Sequence, residues 1–307
     1  LLRLRVKKPP LSPEEKRKLV ELFRALSPSG LERTMPDLGP DLALLVGKRL
    51  PRRPGAILFD VYGTIVMSAA GGEPALGGEI AIRGGEARDL LEAELKSASF
   101  RGGAIRFARE VDLSITRTRE AAMPGTPDPE VDIEDIVSSI VGGREGGKAR
   151  LVSVLLEAWR NPCAAMPGAS ALLSRLSASG QRLGIVSNAQ FYTPLLVEAL
   201  FGSPPEGLGF EAGICAYSYE NLRAKPDTEP FIRAAEPLLA SGLKAGEILV
   251  VGNSWANDMA PARGLGFMTA LYAGDSRSYR PARPPAIESR PDSILRDYDL
   301  FEAILPT

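Results

Sequence analysis

The chain is expected to fold as an α/β protein: a doubly wound parallel sheet with a helical domain inserted after its first strand. Three observations carry that expectation. Short continuous apolar runs bounded by turn residues recur at Ala56–Asp60, Leu183–Ser187 and Ile248–Val251, the pattern of strands buried on both faces. From about Ala165 to Tyr272, strand and helix patterns alternate, as they do when crossover helices join parallel strands. Between the first run and that series lies a long block of mostly helical periodicity.

The elements follow in order. Residues 1–54 are basic and punctuated by proline, and one helix stands out, from Ser12 to about Leu26, with Leu19, Val20, Phe23 and Leu26 on one face. Strand Ala56–Asp60 runs into a stretch rich in glycine (Gly71, Gly72, Gly77, Gly78, Gly84, Gly85). Helices are expected over Ala87–Ser97, Ala104–Arg117 and Ala149–Trp159, with a further capped helix starting in Val131–Val137 after the break at Pro124–Pro127. Then come helix Ala169–Ser177, strand Leu183–Ser187, helix Thr193–Phe201, strand Gly213–Tyr217 and a helix near Glu229–Ser241. Strand Ile248–Val251, a helix near Met259–Arg263 and strand Met268–Tyr272 complete the alternation. A proline-rich loop, Arg280–Pro285, leads to strand Ser293–Leu295 and a last helix, Asp299–Leu305. The chain thus divides into an N-terminal helical extension (1–54), a sheet-bearing core (55–66 with 165–307) and a helical insert (67–164).

Composition narrows the chemistry. A length of 307 residues suits about two domains, or one domain with a large insertion. The formal charge of −1, with acids and bases interspersed, gives no reason to expect nucleic acid or an anionic membrane as partner. Cys163 and Cys215 stand far apart in apolar surroundings and read as reduced core residues of a cytoplasmic protein. No apolar run is long enough to span a bilayer. The start, Leu1–Arg5, has neither an initiator methionine nor a signal-peptide core, and reads as the start of a fragment or a trimmed chain. The absence of histidine is the sharpest fact. It excludes Ser-His-Asp and Cys-His catalysis, imidazole acid–base chemistry and histidine-ligated metals.

Polar residues collect where the apolar runs end. Asp60-Val61-Tyr62-Gly63-Thr64 follows the first run and Ser187-Asn188-Ala189 the second; Lys225-Pro226-Asp227 lies in a later loop, and Gly252–Asp258 follows the third run. In an open parallel sheet, ligands bind beyond the carboxyl ends of the strands. An aspartate nucleophile needs a cation beside it and a hydroxyl to orient it. Lys225 can supply the first and Thr64 the second. Ser187 and the backbone amide of Asn188 can receive an anionic group, and Asp258 can hold a cation or position a water.

In this order and context the four segments resemble the haloacid dehalogenase (HAD) superfamily, over about Ile57 to Tyr272. The resemblance implies a Rossmann-like core in which Asp60 attacks the substrate and forms an aspartyl intermediate that water hydrolyses. It implies Ser187 and Lys225 as the family's serine and lysine, Gly252–Asp258 as its last acidic loop, and the insert as its helical cap. The interval from Ser187 to Lys225 is too short for the family's other, larger cap. Two positions depart from the phosphatase pattern. The second acid, two residues after the nucleophile, is Tyr62 here, and the magnesium-binding aspartate of the last loop is Asn253. Asp60 and Asp258 against Lys225 leave a formal charge of about −1, so Mg²⁺ is expected to bind weakly, through Asp60, the Tyr62 carbonyl, Asn253 and Asp258. Aspartate-x-tyrosine-glycine-threonine resembles the 2-haloacid dehalogenases, whose halide leaves without a proton and without metal. Those enzymes carry an asparagine where Trp255 stands, and a cap arginine near the halide, for which Arg83 and Arg88 lie in the right part of the chain. The expected function is hydrolysis of a small anionic substrate, a phosphomonoester first. The alternatives are carbon–halogen hydrolysis without metal and a catalytically impaired binding module.

Overall fold

The computed structural model describes residues 8–71, 85–122, 128–142, 147–282 and 290–306. Its strands are β1 (Ala56–Phe59), β2 (Val66–Ser68), β3 (Cys163–Ala165), β4 (Arg182–Ser187), β5 (Phe210–Tyr217), β6 (Ile248–Gly252), β7 (Met268–Tyr272) and β8 (Ser293–Leu295). Six of them form a parallel sheet in the order β5-β4-β1-β6-β7-β8. β1 lies between β4 and β6, with Phe59 level with Ile185 on one side and Val251 on the other. The chain winds outward in both directions from β1, which makes the carboxyl end of β1 the switch point where such sheets bind ligands.

Side chains alternate across each strand, and both faces here are covered. Ile57, Phe59, Leu249 and Val251 enter one core, while Ala56, Leu58, Ile248 and Val250 enter the other. This explains why the strand sequences read as unbroken apolar runs with no polar alternation. The first core continues into the helices that precede β3.

The longer helices are α1 (Pro13–Leu26), α2 (Gly85–Ser97), α3 (Gly103–Glu120), α4 (Ile133–Val141), α5 (Lys148–Arg160), α6 (Ala169–Ala178), α7 (Thr193–Phe201) and α8 (Glu229–Ala240). α2 to α5 form the insert between β2 and β3. Leu91, Phe107, Val137 and Leu155, one from each of these helices, are buried together with the strand residues of the first core. Capping follows the local chemistry. The Ser12 hydroxyl accepts from the Glu15 amide at the start of α1, and the Asp132 carboxylate accepts from the Glu134 amide at the start of α4.

The expected fold class and the order of its elements are found, with several differences in detail. β1 ends at Phe59, which leaves Asp60 as the first residue beyond the strand. β5 begins at Phe210, three residues before the expected start. The expected helix at Met259–Arg263 is a π-helical turn, Trp255–Met259, running into the short helix Ala260–Gly264. The last helix is a 3₁₀ turn, Tyr298–Leu300, followed by Phe301–Ile304. The antiparallel ribbon of β2 and β3 was not expected at all. Its strands are three residues long, too short for any periodicity to register. It sits across the expected limits of the insert at 66 and 165. Most of the glycine-rich stretch, and Arg83, lie outside the described residues.

The extension binds both the insert and the sheet. Leu19, Val20 and Phe23 of α1 are buried, and the Phe23 ring meets Tyr192 edge-on, with centroids 6.1 Å apart. Arg150 of α5 is buried and reaches Glu15 of α1 (3.2 Å), Glu134 of α4 (3.1 Å) and the Pro9 carbonyl (2.6 Å). Further on, Val46 bridges Ile294 of β8, and the Leu50 amide donates to the Ile304 carbonyl. Both cysteines are free. Among the described residues no helix is long and apolar enough to cross a membrane.

Because Phe23 is only 2% exposed, Phe23→Ala is expected to lower the unfolding free energy by about 3–5 kcal/mol, the usual cost of deleting a buried ring. Urea denaturation measures this. A loss below about 1 kcal/mol would show that α1 is not part of the cooperative core.

Candidate functional site

The polar ends of the central strands converge. The Asp60 amide donates to the Val251 carbonyl (2.9 Å), which extends the sheet ladder by one residue and fixes the carboxylate at its edge. The chain then turns back sharply: the Gly63 amide donates to the Val66 carbonyl (2.7 Å) and the Thr64 amide to the Val61 carbonyl (3.2 Å). Gly63 has φ +81°, and a Cβ there would lie 2.5 Å from the Ser278 side chain and 2.7 Å from that of Asn253. Only glycine satisfies both the conformation and the space.

Lys225 is the hub. Its Nζ donates to Asp60 Oδ1 (2.8 Å), Asp258 Oδ1 (2.5 Å) and the Val186 carbonyl (2.9 Å), using all three of its protons. The side chain is almost wholly buried, at 5% exposure. Burial works against the ammonium, but the Asp258 and Asp60 carboxylates outweigh it and hold the Lys225 pKa above its usual value. Asp258 behaves differently because one ammonium serves two acids. Burial pushes its pKa up to about 6, opposed by Lys225 and reinforced by the negative charge of Asp60. Asp258 Oδ2 also accepts from the Ser254 amide (2.9 Å). Gly252 makes room for this carboxylate, since a Cβ there would come within 2.4 Å of Asp258 Cγ.

The Asp60 carboxylate is held from several sides. Ser187 Oγ donates to Oδ1 (3.0 Å) and Thr64 Oγ1 to Oδ2 (3.2 Å). Thr64 Oγ1 also lies 3.3 Å from Asn253 Oδ1, so its single proton faces two acceptor oxygens. That leaves an oxygen-rich corner one positive charge short, in which Asp60, Asn253 and Asp258 are all hard donors. Such a donor set fits Mg²⁺ in kind, with few formal charges to hold it.

The residues expected from the sequence are therefore brought together, but several do something other than expected. The Ser187 hydroxyl is 1% exposed and faces Asp60, with no opening toward an incoming anion. Asn188 lines the cavity, yet its side chain grips the backbone of Lys225. Asn188 Oδ1 accepts from the Lys225 amide (2.7 Å), and Nδ2 donates to the Lys225 carbonyl (3.0 Å). It positions the lysine. The Tyr62 hydroxyl pairs with Thr193 Oγ1 (3.0 Å), and burial pushes the phenol well above its usual pKa. It stays neutral and does not stand in for a carboxylic acid.

A cavity of about 470 Å³ opens between this edge and the insert. Val111, Ile115, Val131, Ile133 and Leu156 form an apolar wall. Charged groups of the insert come in pairs: Arg160 with Asp112 (2.8 Å) and Arg119 with Glu130 (3.1 Å). Glu157 lines the cavity as well, and so does Arg280, whose guanidinium donates to the carbonyls of Arg277, Tyr279 and Gly71. The arginines considered from the sequence are not these. Arg88 sits on α2 beside Glu92 (3.7 Å) and over the Trp159 ring (6.0 Å), away from the cavity lining. Arg280 follows β7 at the same sheet edge as the other site residues, so the edge rule could have found it. Arg160 and Glu157 occupy the last turn of α5, just before the chain returns to the sheet, a place no motif marks.

A buried lysine between two carboxylates lies at the switch point of a parallel sheet roofed by inserted helices, an α/β arrangement that gathers its charged groups at one edge. A family model for haloacid dehalogenase-like hydrolases matches residues 54–266, and the chain belongs to that family. No curated protein matches it. Among solved structures, it is similar to a 2-haloacid dehalogenase from Pseudomonas syringae pv. tomato DC3000 (17% identity, 81% of this chain and 96% of that one, TM-score 0.52). It is also similar to a HAD phosphatase from Thermococcus onnurineus (19% identity, 80% and 94%, TM-score 0.47). A third is the HAD-hydrolase YfnB from Bacillus subtilis, solved with magnesium bound (18% identity, 83% and 100%, TM-score 0.47). At these identities the likeness is one of fold.

Removing the hub should expose its role. Lys225→Met leaves two buried carboxylates without a counter-ion and is expected to cost about 3–5 kcal/mol at neutral pH. A carboxyl whose folded pKa exceeds its unfolded value adds stability below the unfolded value and loses it as pH rises through the folded one. Asp258 already stands at about 6 in the intact site, and losing Lys225 raises it further. The deficit of Lys225→Met should therefore shrink as the pH is lowered from about 7.5 to about 5. Denaturation curves at the two pH values check this, and a deficit that stays constant or grows would contradict it.

Proposed function

We propose that this chain hydrolyses a small organic anion, a phosphomonoester first, with Asp60 as the nucleophile. The observation that carries the reading is the setting of Asp60. Its carboxylate is the first group beyond the central strand, oriented by Lys225, Ser187 and Thr64, and it lines the cavity under the insert. Held by these three partners, it is placed to attack in line with a bound leaving group. The apolar wall suits the organic part of a substrate. Arg280 and the arginine pairs supply positive charge for its anionic part. The insert acts as a cap that excludes water from the aspartyl intermediate, with the extension (1–54) and core (55–66 with 165–307) as the supporting domains.

Asp60, the Tyr62 main-chain carbonyl, Asn253 and Asp258 are the groups that would hold Mg²⁺. When bound, the ion supplies positive charge against the substrate anion. The protein's own residues hold Asp60, bind the organic body and close the cavity. A second reading, carbon–halogen hydrolysis without metal, is favoured by Tyr62. Halide leaves without a proton, so a tyrosine at that position costs such an enzyme nothing.

The readings separate in one assay set. Phosphate esters and 2-haloacids are incubated with and without Mg²⁺, using the native chain and Asp60→Asn. Phosphate release that needs Mg²⁺ and falls by at least about 10³-fold in Asp60→Asn is the expected result. Halide release indifferent to metal, with no phosphate release, would replace this reading by the second.

A further inference from the structure

The phosphatase reading leaves a gap that this inference, which rests on that reading, fills. An alkoxide leaving group needs a proton, and water attacking the aspartyl intermediate must lose one. Residue 62 is a tyrosine tied to Thr193 and cannot serve. The geometry points to Glu157 of α5 as the group that gives this proton and takes it back.

Glu157 shares the cavity wall with Asp60 and Tyr62. Both its oxygens are held: Oε1 accepts from Asn161 Nδ2 (2.8 Å) and Oε2 from the Tyr192 hydroxyl (3.0 Å). Asn161 is itself fixed, since its Oδ1 accepts from Ser68 Oγ (2.7 Å) and the Ala70 amide (3.2 Å). The carboxyl is thus anchored to the β2–β3 ribbon, the joint between insert and core. A protonated carboxyl can keep both contacts as acceptor and still present its proton.

The surroundings favour the acid form. Burial raises the Glu157 pKa, while the bonds from Asn161 and Tyr192 and the charge of Arg160 on the same helix work against it. Arg160 is partly spent on Asp112 of α3. The other titratable groups facing Glu157 are Tyr62 beyond β1, Tyr192 before α7 and Cys163 of β3. Burial pushes the pKa of each well above its usual value, so all three are neutral.

The steps balance. Asp60 attacks phosphorus and the bond from phosphorus to the ester oxygen breaks. The departing oxygen takes the Glu157 proton, giving an alcohol, an aspartyl phosphate and a Glu157 carboxylate. Water then attacks phosphorus and gives a proton to Glu157. The acyl–phosphate bond breaks, restoring Asp60 and releasing phosphate.

The test compares butyl phosphate, whose leaving group needs a proton, with 4-nitrophenyl phosphate, whose leaving group does not. Glu157→Gln keeps the shape of the side chain and removes the proton. It is expected to reduce kcat/KM on the butyl ester by at least about 10-fold more than on the nitrophenyl ester. A merely structural role would depress both esters alike, and that result overturns the inference while leaving the phosphatase reading standing. A second measurement uses the native chain. Its kcat/KM for the butyl ester should fall on the alkaline side, as Glu157 loses its proton, with no matching limb for the nitrophenyl ester; identical profiles overturn the inference. A native chain that releases phosphate from neither ester overturns both.

Discussion

Lys225 sits where the two halves of the catalytic edge would otherwise repel each other. Asp60 and Asp258 are both buried and come from opposite ends of the core sequence, yet they reach the same ammonium. Two buried carboxylates at that spacing cannot both ionise without a cation between them. Much of the local architecture serves this contact. Asn188 holds the lysine backbone, the Val186 carbonyl takes its third proton, and Gly252 gives Asp258 room to approach. The cluster adds little to stability beyond what an apolar replacement would give. What it secures is a fixed Asp60, held by Lys225, Ser187 and Thr64.

The sheet makes the contact possible. β1 is central and short, so its carboxyl end is flanked by the ends of β4 and β6, and residues distant in sequence arrive within hydrogen-bond reach. The insert enters through β2 and returns through β3, which pair with each other. Glu157 and Asn161 thereby inherit a fixed position relative to Asp60. The N-terminal extension acts on the same joint from outside. Glu15 engages Arg150 of the insert, while Phe23 packs on Tyr192 of the core. Tyr192 in turn donates to Glu157.

These relations explain which parts of the molecule were legible in the sequence. The central strands announce themselves because both faces are buried; Asp60, Thr64, Ser187, Asn253 and Asp258 follow from their places at strand ends, and Lys225 from its lysine-proline loop after β5. The roles of Ser187 and Asn188 were not legible, because a side chain's partner depends on the loop opposite. Nor was the ribbon, whose short strands carry no period. Glu157 and Arg160 lie on a helix whose pattern reports only its buried face, and their approach to the site depends on how the insert folds back. Arg280 stands in a proline-rich loop, whose composition signals only a turn, although it follows a strand of the same edge.

Charge ties the site residues to the substrate. Lys225 is committed to two carboxylates, Arg160 to Asp112 and Arg119 to Glu130, so most cationic charge around the cavity is already balanced. An anion entering the cavity, as proposed above, meets Asp60 and Asp258 together with Arg280, which also lines it. Under these conditions the ionisation of Glu157 matters twice. As a carboxylate it adds another negative charge to a confined space of low dielectric, where repulsion is weakly screened. As an acid it adds none, and in the proposed reaction it carries the proton that an alkoxide needs. Binding of the anion and protonation of Glu157 are therefore linked in sign: each favours the other. The tyrosine at position 62 fits the same economy, because a second carboxyl beside Asp60 would place another negative charge where the substrate's own must go.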